Sequence, residues 1–414
     1  MAVGIICEYD PFHEGHRWQL AEARRLSGDP DAVCFMSGNF TERGEAAIAD
    51  KWVRARMALE GGADLVIELP TVFAAAGAAD FARGAVALME ASGLVSSFSF
   101  GTEEAALPAL RPAAELLASP DGRFEEALRR LLPECESFAR ARFEALRELL
   151  PGDLPAEAAE ALTKPNAILA LEYMKENLKL AQPLEAFPVI RRGAGHGEKE
   201  LASGGFCSAS ALREASRQGA DLAPLLPEEC AASWSEAVRL GLAPVRAEAF
   251  SAPLHYALTV LGEEGLRKIP GVAEGLEHRI LREAGDYPGW EELLGRLATK
   301  RYPNARLRRV LLYALLGLTE DARARMGFAE GPGYLRVLGF RKEKEALLGE
   351  LCRKAKLPVV TSVSRALEEG SGLSDAARAG LAAEVRFTDL YLSALPDPAA
   401  RGRGFEYRAP LVII

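Results

Sequence analysis

The hydrophobic pattern of the chain changes period several times. "AVGIIC" (Ala2–Cys7), "AVCFMS" (Ala32–Ser37) and "ADLVIELP" (Ala63–Pro70) are short continuous apolar runs, as expected of strands covered on both faces. "SSFSFG" (Ser96–Gly101) and "FPVIRR" (Phe187–Arg192) are weaker versions. Between them, "HRWQLAEARRLSG", "ADKWVRARMALEGG" and "DFARGAVALMEASG" repeat their apolar residues at helical spacing and close on glycine, the usual helix stop. Strand alternating with helix predicts an α/β domain with a parallel sheet.

From Glu103 to Leu162 the chain is alanine-rich, with helical apolar spacing. We read it as a helical insertion rather than a linker. From Glu214 to Arg325 the patterns are helical, with Pro and Gly at the breaks. From Gly331 onward β character returns in "YLRVLGF" and "PVVTSVS", and the last residues are "RAPLVII". The expected organisation is an α/β domain over 1–215, a helical domain over 216–330 and a small C-terminal α/β module over 331–414.

With 414 residues, the chain is long enough for two or three domains. Apolar residues make up 49% and charged residues 26%, an ordinary globular composition. No apolar run approaches the roughly 18 residues of a membrane helix, and the first residues lack the basic start of a signal peptide. The six cysteines (Cys7, Cys34, Cys135, Cys207, Cys230 and Cys352) show no paired spacing. Neither a zinc site nor a disulfide framework is indicated, no resident metal site is expected, and the default location is the cytoplasm. The net charge of -9 argues against a generic nucleic-acid coat. One local exception is "RLATKRYPNARLRR", with Arg296, Lys300, Arg301, Arg306, Arg308 and Arg309.

Candidate chemistry is concentrated at the end of the first strand, in "CEYDPFHEGH" (Cys7–His16), which holds two of only five histidines. In parallel α/β sheets ligands bind at the carboxyl ends of strands. The helix start that follows offers free N–H groups and a positive dipole end. Gly15 lets the backbone approach a ligand. His13 and His16 can donate hydrogen bonds to a pentavalent phosphorus centre, and such transfers ask mainly for positioning and charge stabilisation. The alternative is a first-turn cap and a surface residue. A second helix start, "CSASALREA" (Cys207–Ala215), brings Ser208, Ser210 and Arg213. It reads as an ordinary N-cap or as a second phosphate cradle.

The HxGH after the first strand and the late S-x-S-x-x-R resemble the nucleotidyltransferase superfamily. "EYDPFHEGH", "MSGNFTERGEAAIADKWVRARMALEGGADLVIELP", "SFGTE", "KPNAILALEYMK", "KRY", "RVLGF", "LPVVTSVS" and "APLVII" resemble, in order and over nearly the whole chain, the tRNA(Met) cytidine acetate ligase family. The resemblance implies a Rossmann-like nucleotidyltransferase domain. It implies an enzyme using ATP, with Mg2+, to convert acetate to acetyl-adenylate. Such an enzyme acetylates the N4 amine of the wobble cytidine of elongator tRNA(Met), releasing AMP and pyrophosphate. The family usually has Asn at Asp10 and Glu14, and a further His at Gln19. Two carboxylates near a triphosphate repel it unless a cation intervenes.

By the same resemblance, ATP is expected on Cys7, Glu8, Tyr9, Asp10, Pro11, Phe12, His13, Glu14, Gly15, His16 and Gln19, and on Gly101, Asn166, Ser208, Ser210 and Arg213. Arg192, or its neighbour Arg191, completes the set, and His13, His16 and Ser210 are the expected catalytic residues. Gly101 ends a strand, where a missing side chain makes room for adenine or ribose. Asn166 stands at a helix start and can bond a base or ribose. Ser37, Asn39 and Arg43 in "SGNFTERGE" are candidates to hold acetate or the cytosine; the alternative is a polar loop with a glycine turn. Asp50, Lys51 and Arg54 start the next helix, and Asp50 reads as part of a solvated face. Lys300, Arg301, Arg308 and Arg309 are candidates to grip tRNA phosphates, with Tyr302 stacking on a base; the alternative is a solvated basic helix.

Three other readings compete. A small-metabolite adenylyltransferase leaves some 200 further residues without a use. A relative of the aminoacyl-tRNA synthetases conflicts with "SASALR", which lacks the lysine of their second motif. The third is a non-catalytic nucleotide- or RNA-binding protein.

Overall fold

The computed structural model of the chain describes all residues except 120, 136–137, 151, 153–154, 191–206, 288 and 300–301. Its frame is one sheet built from β1 (Ala2–Cys7), β2 (Asp31–Ser37), β3 (Leu65–Leu69), β4 (Val95–Thr102), β5 (Glu185–Ile190), β6 (Leu335–Phe340), β7 (Val359–Val360) and β8 (Val412–Ile413). The order is β5-β4-β1-β2-β3-β6-β7, with β8 also paired to β6. Every pairing is parallel except β3 with β6. The α/β class and the parallel sheet expected from the apolar runs are both present.

Why the runs are continuous is visible in the two cores. Ala2 and Ile6 of β1 join Val33, Phe35, Leu65 and Ile67 on one face. Val3, Ile5 and Cys7 join Ala32, Cys34, Met36 and Val66 on the other. Side chains alternate with period two, and helices cover both sides, so neither set can be polar. Register follows, with Ile5 opposite Cys34 and Phe35 opposite Ile67.

The insertion carries helices Leu107–Ala118, Arg123–Leu131, Phe138–Leu149 and Ala156–Ala161. No strand occurs among the described residues of 214–325. β character does return at β6, but β6 pairs with β3, so the sheet runs across the boundary drawn at residue 331. In "PVVTSVS" only Val359–Val360 is strand; Val363–Leu367 is helix. Among the described residues, no helix is long and apolar enough to cross a membrane.

Helix Lys51–Glu60, which follows β2, differs from the sequence reading. Asp50 is buried, not solvated, because its carboxylate caps the helix, accepting from Trp52 N and Val53 N at 2.9 Å each. Lys51 and Arg54 are also wholly buried. Lys51 Nζ donates to Glu68 at 2.7 and 2.9 Å and to Glu406, which also pairs with Arg336 at 3.3 Å. Burial, with repulsion from Glu68, pushes the nearby Glu384 carboxyl up to about 8, so it is largely uncharged at neutral pH. Lys51 and Arg336 thus face Glu68 and Glu406, and this pairing is what makes the burial tolerable. At the other end of this helix a Cβ on Gly61 would fall 2.2 Å from the Phe12 ring, which is how the first loop packs onto it.

Replacing Lys51 by Ala leaves Glu68 and Glu406 buried against Arg336 alone. The expected loss is about 3–5 kcal/mol of unfolding free energy, read from urea denaturation midpoints. Lys51→Arg, which keeps the cation, should lose less.

Candidate active site

Helix Glu14–Ser27 begins in a capping box made of the two histidines. His13 Nδ1 accepts from Gly15 N at 3.0 Å, and His16 Nδ1 accepts from His13 N at 3.3 Å. The rings stack, with centroids 3.7 Å apart. A ring nitrogen that accepts carries no proton, so each neutral imidazole has its proton on Nε2. The cap therefore turns both histidines into Nε2–H donors, and capping and ligand donation are not alternatives here. Tyr9, just upstream, is held at φ 48°, a left-handed conformation that costs a non-glycine residue energy and recurs at functional sites.

A second helix start faces the same cavity. Ser208 caps helix Ala209–Arg217, its Oγ accepting from Ala211 N at 3.1 Å. Ser210 Oγ accepts from Arg43 at 3.2 Å and from Arg213 at 3.4 Å. Arg213 also donates to the Asp10 carbonyl at 2.6 Å and pairs with its carboxylate at 3.3 Å. Asp10 thus has its cation, and Ile48 N donates to it as well, at 2.6 Å. Glu14 pairs with Arg17 at 2.8 Å. Neither carboxylate is left bare toward an anion.

The cavity measures about 780 Å³. Its lining brings together Cys7, Glu8, Tyr9, Asp10, His13, His16, Gln19, Arg43, Gly101, Asn166, Ser208, Ser210 and Arg213. Phe81, Phe100, Ile168, Leu169 and Tyr173 form an apolar wall. Pro11, Phe12, Glu14 and Gly15 are not on the lining; Phe12 is wholly buried behind the loop. Asn166 donates to Glu103 at 2.9 Å. Ser37 and Asn39 are buried behind the cavity, and the Asn39 amide accepts from Lys51 N at 2.9 Å and donates to Thr388 at 3.1 Å. Tyr302 is buried, its hydroxyl donating to the Glu274 carbonyl at 3.2 Å. Arg191, Arg192, Lys300 and Arg301 lie outside the described residues.

Two features were not anticipated. Arg308 and Arg309, placed on a distant RNA surface by sequence reading, line this cavity. So does Glu42, which the loop "SGNFTERGE" contains but which nothing local distinguishes. Glu42 N donates to the Glu8 carboxylate at 2.8 Å. Burial raises the Glu8 carboxyl, and burial pushes Glu42 up to about 7, against the pull of Arg309. Among the described residues no group of three His, Cys, Asp or Glu could hold a metal ion.

A parallel sheet with an HxGH helix start at the end of β1 and a Ser-Ser-Arg helix start opposite defines a nucleotidyltransferase of the HIGH class. The family model "HIGH Nucleotidyl Transferase" matches residues 1–404. Two relatives named tRNA(Met) cytidine acetate ligase, from Thermoanaerobacter pseudethanolicus and Syntrophomonas wolfei, are 35% and 34% identical. These cover 99% and 98% of this chain, and 99% and 97% of their own lengths are covered. The crystal structure of Thermotoga maritima TmcAL bound with alpha-thio ATP superposes with a TM-score of 0.90 at 30% identity, covering 100% of this chain and 99% of that one. The chain belongs to the tRNA(Met) cytidine acetate ligase family, and is a ligase.

Glu42 gives a pH signature. Its carboxyl is neutral below about 7 and an anion above it. An anionic ligand should therefore bind less tightly as pH rises through that value. Titration calorimetry with ATP on either side should show a loss of about tenfold, and Glu42→Gln should flatten it.

Proposed function

We propose that this chain activates acetate with ATP and transfers the acetyl group to the N4 amine of the wobble cytidine of elongator tRNA(Met). The observation that carries the reading is the convergence of two helix starts, with His13 and His16 on one and Ser208, Ser210 and Arg213 on the other, on one cavity. An acetate oxygen attacks the α-phosphorus of ATP, and the bond to pyrophosphate breaks with its electron pair. The cytidine amine then attacks the acetyl carbon, the acyl C–O bond breaks with its electron pair on AMP, and the amine releases one proton to solvent. The two Nε2–H donors and the helix N-terminus meet the charge developing on the α-phosphate. Ser210 and Arg213 meet it from the other side. The apolar wall around Phe100 and Tyr173 suits a base, with Gly101 and Asn166 at its edge. Of the three acetate candidates, Arg43 is the one on the cavity lining.

Mg2+ is proposed as the companion of the triphosphate, a role in which it shields phosphate charge. The tRNA is proposed to lie across the cavity mouth and the helical layer of 216–330, where it would reach the activated acetyl group. The relatives' names and the nucleotide in the neighbouring structure support ligase and ATP; the reaction route is our reading.

The test is direct. ATP, acetate and elongator tRNA(Met) should yield AMP, pyrophosphate and N4-acetylcytidine, read by nucleoside mass spectrometry. ADP and phosphate as products would rule the route out. His16→Ala should lower turnover about 10²–10³-fold with far less change in ATP affinity. Turnover at the wild-type level would return the histidines to simple caps.

A further inference from the structure

We propose that Arg308 and Arg309, from helix Asn304–Leu316, hold the pyrophosphate end of the triphosphate, exchanging Glu45 and Glu42 for it. The proposal rests on the ATP-adenylation reading above. Both arginines line the nucleotide cavity, although their helix belongs to the layer assigned to RNA. Arg308 pairs with Glu45 and stands 3.7 Å from Glu291. Arg309 Nη1 donates to the Glu42 carbonyl at 3.3 Å and to its carboxylate at 3.4 Å.

The backbones beneath these pairs are fixed. Gly44 has φ 75°, and a Cβ there would fall 2.6 Å from Arg309 N and 2.8 Å from the Arg308 carbonyl carbon. The turn and the helix are in direct contact that only glycine permits. The guanidiniums are not so fixed: each arginine side chain keeps 23% exposure. A rigid base with partly exposed cations at the end of long stems suits a partner that arrives and leaves.

The elements that carry the cations point to the phosphates they serve. Arg213 and Arg43 share Ser210 at the second helix start. Arg43 is next to Arg308, whose guanidinium feels its charge. The α-phosphate is provided for by the two helix starts, whose field fades within a turn. Among the described residues, the other cations on the lining are Arg217, which is held by Glu214 at 3.0 Å on the second helix itself, and Arg308 and Arg309. When the acetate oxygen bonds to the α-phosphorus, the departing oxygen takes the electron pair and pyrophosphate gains a full charge. A guanidinium fork matches phosphate as it matches carboxylate, and the departing group carries more charge than the single carboxylate each arginine now holds.

Phosphates of tRNA have the same chemistry, so the test separates the two sources. Acetate-dependent pyrophosphate exchange into ATP is measured without tRNA on the full chain. For Arg308→Gln with Arg309→Gln, the KM for pyrophosphate should rise about 10–100-fold. Transfer from enzyme-bound acetyl-adenylate to tRNA should change little, because pyrophosphate has already left. Unchanged exchange, with a raised tRNA KM and a salt slope lowered by about two, would overturn the proposal and assign both arginines to RNA. No exchange in the wild-type chain with any carboxylic acid would overturn the adenylation reading, and this proposal with it. Glu45→Gln frees Arg308 without truncating it and decides the matter if the double variant fails to fold. It should lower the KM for pyrophosphate, and an unchanged or raised value counts against the exchange.

Discussion

The Arg54 guanidinium is wholly buried, and every bond it makes goes to a backbone carbonyl: Glu8 at 2.5 Å, Ser37 at 3.1 Å, Gly38, and Ala49 at 2.9 Å. Those carbonyls belong to the loops that leave β1 and β2. One loop carries the histidines and the other carries Arg43 and Glu42, so a single cation fixes how far apart the two stand. Each carbonyl left without its donor would cost about 1–3 kcal/mol, which makes other loop conformations expensive. The histidine cap, the strained Tyr9 and the Glu8–Glu42 contact are all built on this crossing.

The same helix ties the site to the far end of the chain. Lys51, three residues before Arg54, is held by Glu68 of β3 and by Glu406. Asn39 reaches Thr388, which in turn donates to Glu406 at 2.8 Å. Tyr391 donates to the Ala47 carbonyl at 2.8 Å. The C-terminal segment therefore braces the loop after β2 from behind, while Arg308 and Arg309 meet it from the front. Residues from 1–215 and from helix Asn304–Leu316 line the one cavity.

What was legible in the sequence follows from this geometry. The strands of the first half were readable because helices on both faces demand unbroken apolar runs, and the HxGH loop was readable because strand, glycine and helix start fall within ten residues. Ser208 and Arg213 fall within six residues of one helix start and were found for the same reason. Arg54 and Lys51 looked like ordinary helix charges, since Arg54 bonds to backbone carbonyls of loops, which no residue type announces, and Lys51 to Glu68 of β3 and to Glu406, 355 residues away. Asn39 read as a candidate for acetate or cytosine, with a loop polar group as the alternative, because nothing in "SGNFTERGE" reveals the Thr388 hydroxyl behind it. Arg308 and Arg309 read as a surface patch because charge runs carry no sign of which face they meet. Gly44, which nothing in the sequence singles out, is where that helix seats.

The account stands on attack by a carboxylate oxygen at the α-phosphorus of ATP. Acetate labelled with 18O tests that step most directly. After turnover with tRNA, the account predicts one labelled oxygen in the phosphate of AMP, carried over when the amine cleaves the acyl bond. Unlabelled AMP, or label recovered in inorganic phosphate, would contradict it.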